Sequence, residues 1–107
     1  MTIEDAERID IIGIDAATGD VILTIANHLD WSDEYEHLTT LQKKLNAYLA
    51  FIESGEINET YPKARARRPI IDVVFKYEPS ATATEFLRHA SSAAASIGAE
   101  LRSRVKQ

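Results

Sequence analysis

Between Leu38 and Ile52 the apolar side chains Leu38, Leu41, Leu45, Leu49 and Ile52 recur at steps of three and four, with Tyr48 beside them. That period sets them on one side of an α-helix and predicts a core-facing helix over residues 33–54. Asp33 stands three residues before Glu36, the capping-box spacing, and Asp30 before Asp33 offers the same signal one turn earlier. Gly55 follows the last periodic residue and can adopt the left-handed conformation that closes a helix.

Elsewhere the period is two. RIDIIGID (residues 8–15) and DVILTIA (residues 20–26) are rich in β-branched residues and flank a Thr18-Gly19-Asp20 turn, so they predict a hairpin. In residues 70–77, Ile71, Val73, Phe75 and Tyr77 alternate with Ile70, Asp72, Val74 and Lys76, which predicts a strand with one apolar face turned to the helix. Residues 81–97 predict a second helix, capped by Ser80 or Thr82, whose buried side is Phe86, Leu87, Ala90, Ala93, Ala94 and Ile97. Gly98 ends it, and residues 99–105 form a short edge strand with Leu101 and Val105 inward and Arg102 and Arg104 outward. Residues 56–69, polar and bounded by Pro62 and Pro69, read as a mobile surface loop.

The order ββαβαβ predicts an α+β two-layer sandwich: one four-stranded mixed sheet with two helices on one face. With 107 residues and 45% hydrophobic content, the chain is long enough for one domain over residues 1–107. Strand order is left open.

Composition narrows the chemistry. No cysteine is present, which excludes disulfides, thiolate metal sites and cysteine nucleophiles and fits a cytoplasmic protein. The acidic start MTIEDAERID reads as neither a signal peptide nor a membrane segment, and no stretch of about twenty apolar residues follows. The net charge of −5 hides an asymmetry. Residues 1–60 carry thirteen acids and three bases, residues 61–107 nine bases and four acids. The halves can neutralise one another within the domain or across a dimer, and the acidic balance disfavours nucleic acid.

The run HLDWSDEYEHL, then LQKKLNAYLAFIESGEI, a tyrosine-proline pair and IIDVVFKYEPS resemble a family of small bacterial proteins of unknown function. The similarity spans about Ile9 to the last strand, and the FIESGE ending at Phe51–Glu56 is its most specific part. The resemblance implies a bacterial cytosolic protein and supplies no catalytic residues. The loop KARARRP is more basic than that pattern leads one to expect.

Three groups of residues are candidate sites. Asp33 and His37 are four apart and share a helix face, and His28 approaches from the preceding connection, giving nitrogen and oxygen ligands for a divalent metal. Capping and the helix dipole account equally well for the acids there, and an ordinary hydrogen bond for the histidine. Trp31, just ahead, packs over the helix start. Lys63, Arg65, Arg67 and Arg68 form a cationic group for an anion or an acidic partner, against the simpler reading of a solvated loop. On the far face of the sheet Ile12, Ile14, Ile22 and Val74 stand beside Asp10, Thr24, Asp72, Lys76, Arg102 and Arg104, an apolar excess that suggests association.

No Gly-rich phosphate loop, nucleophile motif or HExxH pattern occurs, and His89 reads as a surface residue, so enzyme chemistry has little support and no cofactor is expected. The expectation is a non-catalytic module that binds itself or another protein, with divalent-metal binding as the alternative.

Overall fold

A computed structural model describes Ile9 and residues 11–106. Strands β1 (Ile11–Ile14) and β2 (Val21–Asn27) are followed by helix α1 (Glu34–Glu53), a short helix α2 (Glu56–Thr60) and a 3-10 turn at Pro62–Ala64. Then come β3 (Pro69–Phe75), helix α3 (Ala81–Ser96) and β4 (Glu100–Val105). The sheet is ordered β1-β2-β3-β4, with β1 antiparallel to β2 and the other two pairs parallel. This is the expected mixed-sheet α+β fold. Each parallel connection passes through a helix, and because such crossovers keep one hand, two made in the same direction across the sheet lay both helices on one face.

That face holds the core. Val21, Leu23 and Ile25 of β2 and Ile71, Val73 and Phe75 of β3 are buried against Leu41, Leu45, Tyr48 and Phe51 of α1. Register explains the clustering, since Leu23 pairs with Ile71 and Ile25 with Val73, so their side chains emerge on the same side. Tyr77 does not continue the row, because β3 ends at Phe75 and Tyr77 lies exposed beyond it.

The buried stripe of α1 is turned from the one its aliphatic residues define. Its centre runs through His37, Leu41, Lys44, Leu45, Tyr48 and Phe51, while Leu38, Leu49 and Ile52 lie half-buried at its flanks. An aliphatic count overlooks His37 and Lys44, which are buried among apolar neighbours because each has somewhere to place its polar end. The Lys44 ammonium, for instance, lies 5.6 Å from the centre of the Tyr48 ring. On α3, Ser80 is the cap, its hydroxyl accepting from the Ala83 N–H at 3.1 Å. The inward residues are Ala83, Phe86, Leu87, Ala90 and Ala94; Ala93 is exposed, one step off that stripe.

The segment expected to be a mobile loop is ordered. Gly55, at φ +84°, ends α1, and α2 begins at once. Ile57 and Ala64 point into the core and are buried, two apolar anchors inside an otherwise polar run. Pro62 opens the 3-10 turn, where its missing N–H costs nothing.

Candidate functional site

The start of α1 is held by hydrogen bonds that occupy the carboxylates of Asp30 and Asp33. Asp33 is the N-cap: its Oδ1 accepts from the Glu36 N–H at 3.1 Å. Asp30 turns the chain one step earlier, its Oδ1 accepting from the Ser32 N–H at 3.1 Å and the Ser32 hydroxyl at 2.7 Å. Those two bonds hold the Asp30 carboxyl below the usual carboxylate range.

Behind these caps His37 is buried, with 2% of its surface exposed. Its Nδ1 lies 2.9 Å from the Asp30 carbonyl oxygen and its Nε2 2.9 Å from Oδ1 of Asn27, the last residue of β2. Trp31 stacks on the ring with centroids 3.6 Å apart and planes 19° from parallel, and a tilted contact of 6.1 Å joins Trp31 to Phe75. One node thus ties the ends of β2 and β3 to the start of α1. Burial pushes the His37 imidazole below its ordinary pKa, a shift the Asp30 carbonyl and carboxylate only partly oppose.

This geometry gives the metal reading of His28, Asp33 and His37 no support. Both His37 nitrogens face hydrogen-bond partners inside the fold, and the Asp33 carboxylate caps the helix. Among the described residues no three histidine, aspartate or glutamate side chains converge as a metal ion requires. A depression of 220 Å³ does open there, lined by Leu29, Asp30, Asp33, Glu36 and Thr40 with His37 at its floor. The role of Asn27 was not legible in the sequence, where it follows a strand with no periodic signal of its own.

The basic segment divides in two. Arg67 donates from Nε to the Lys63 carbonyl at 2.8 Å and from Nη1 to the Gly19 carbonyl at 2.7 Å, locking the segment onto the hairpin turn. Gly19 sits at φ +81°, where a Cβ would lie 3.2 Å from that same Arg67 nitrogen. Arg68 pairs with Glu100 of β4. Lys63 and Arg65 also lie exposed. Four cations that read as one group therefore include two already engaged within the fold.

The far face of the sheet differs from its expected composition. Ile12 pairs with Leu23 and Ile14 with Val21, so these two of the three isoleucines of β1 share the core face, and both pack against the core half-buried. Their assignment to the open face is corrected by this register; Ile11 and Gly13 point there instead, opposite Thr24 and Ile22. Asp10 lies outside the described residues. Ile22 and Val74 do stand on that face, joined by Ile70, and Ile11 is 46% exposed. At its centre Asp72 is 2% exposed, with Arg104 Nε donating to Oδ2 at 3.2 Å and Arg102 Nε 3.6 Å from Oδ1. The two guanidiniums lie open to solvent above it. Lys76, just past β3, lies exposed beside the Tyr77 ring.

A groove of 590 Å³ runs between β1 and α1, lined by Ile9, Ile12, Ala47, Phe51 and Tyr61. None of the helices among the described residues is long and apolar enough to cross a membrane. Neither the curated proteins nor the solved structures contain a match to this chain. The whole length, residues 1–107, matches one family, and the chain belongs to it: the Family of unknown function (DUF6572).

Proposed function

We propose that this chain is a non-catalytic association module that pairs through the open face of its sheet, with a second copy of itself as the first partner to test. The observation that carries the reading is the composition of that face. Both long helices cover the other side, while exposed Ile11 and half-buried Ile22 and Val74 gather around buried Ile70 on the side that neither helix covers. Aliphatic residues gathered on one sheet face mark interaction surfaces more often than isolated ones do. Asp72 between Arg102 and Arg104 supplies a polar centre that can fix register. A cytoplasmic setting suits a chain without cysteine.

Native mass spectrometry of the untagged protein tests the proposal. A dimer, or a defined complex with another protein, supports it; a monomer at every concentration together with no co-purifying partner contradicts it.

A further inference from the structure

The node around His37 contains a hydrogen-bond conflict. A carbonyl oxygen only accepts, so the Nδ1 contact with Asp30 requires a hydrogen on Nδ1. Oδ1 of Asn27 also only accepts, so the Nε2 contact requires a hydrogen on Nε2 as well. An imidazole with both hydrogens is a cation, yet this ring is buried beneath Trp31. Meanwhile the same Asn27 Oδ1 accepts from the Leu29 N–H at 3.2 Å, and the buried Nδ2 of Asn27 has no acceptor among the described residues. Turning the amide over reverses the statements about Asn27 and Nε2, while the Nδ1 contact with Asp30 stays as it is. Nδ2 then donates to a neutral Nε2, and the Leu29 N–H loses its acceptor.

We propose that His37 and Asn27 form a proton-operated latch. With the ring neutral, the Asn27 amide gives its N–H to Nε2 and the Leu29 N–H is released. When Nε2 takes up a proton, it donates to Oδ1, and the amide arrangement that receives it also fastens Leu29 at the mouth of the depression beside α1. A proton is gained at Nε2 and no other bond is made or broken covalently. The charged and titratable groups around the ring bias the switch in opposite senses. The Asp30 carboxylate favours the cation and His28 opposes it, both from the connection before α1. Asp33 and Glu36 line the same depression from the helix start, and Lys44 lies further along α1. From β2 the ring meets Asn27, and β3 presents Phe75 behind Trp31.

Trp31, the chain's single tryptophan, is a built-in reporter, because a stacked imidazolium quenches indole emission. The experiment follows the ring nitrogens of His37, the side-chain amide of Asn27 and the backbone amide of Leu29 by NMR from pH 8 to pH 5, with Trp31 fluorescence in parallel. All four signals are expected to move with one midpoint below the ordinary histidine value. In Asn27→Asp, where a carboxylate accepts in either orientation, the midpoint is expected to rise by about one pH unit or more. The proposal is overturned if His37 stays neutral throughout. It also fails if His37 titrates while the Asn27 and Leu29 signals stay still, a result the wild-type protein delivers alone should Asn27→Asp not fold. An unchanged midpoint in a folded Asn27→Asp variant counts against it equally.

Discussion

The two faces of the sheet are built from alternate residues of the same strands, and they solve different problems. On the inner face Leu23, Ile25, Ile71 and Val73 are fully buried within the hydrophobic core cluster. On the outer face their sequence neighbours Ile22, Thr24, Asp72 and Val74 mix aliphatic and polar character, and Asp72 is as deeply buried as a core residue. A carboxylate tolerates that depth only because two arginines of β4 reach it. The inner face holds the domain together, whereas the outer one sets a buried carboxylate beneath two solvent-exposed guanidiniums.

Substitutions should separate these roles, and the inner face should give the largest effect. Leu23→Ala removes buried methyl groups from the centre of the core and is expected to cost about 2–5 kcal/mol in chemical unfolding. Asp72→Ala leaves Arg102 and Arg104 facing one another without their carboxylate. Because both guanidiniums reach solvent, the expected loss is smaller, about 1–3 kcal/mol. Arg67→Met removes two bonds to carbonyls from an exposed side chain, and should cost about 1 kcal/mol while speeding amide exchange through residues 63–68. Ala66, at φ +63°, sits where an L side chain is strained, so Ala66→Gly should stabilise by up to about 1 kcal/mol, read as a shift in the unfolding midpoint.

His37 adds a dependence on pH whose sign follows from its depressed affinity for protons. The unfolded chain, with an ordinary histidine value of 6.5, binds the proton more readily than the folded one. The stability contributed by the buried neutral ring is therefore complete above that value and is lost as pH falls from it through the folded value. Urea unfolding at pH 7.5 and pH 5.5 should show the loss, and His37→Gln should flatten the difference.

How much of this was legible in the sequence depends on which forces wrote it. The alternation Ile71-Val73-Phe75 and the three-four spacing from Leu41 to Tyr48 report burial directly, so the sheet, both long helices and their common face could be read. The register of β1 could not. Isoleucine occurs on both of its faces, at Ile11 as well as at Ile12 and Ile14, so alternation does not say which set turns inward. Pairing decides it, with Ile14 set opposite Val21 by the turn from Asp15 to Asp20. In residues 56–68 the order comes from two apolar anchors and from Arg67 reaching Gly19 across 48 positions of sequence, a contact that no local pattern announces. The same holds for Asn27 and His37. Each is an ordinary polar residue until the crossover from β2 to α1 brings them together.

Sedimentation velocity across a concentration series, comparing the wild-type chain with an Ile22→Lys, Val74→Lys variant, tests the proposed role of the open face most directly. Both substitutions lie on that half-buried face, and the proposal expects a wild-type dimer that becomes a folded monomer in the variant. Two dimers of equal strength would contradict it, as would two monomers at every concentration from a protein that also co-purifies with no partner.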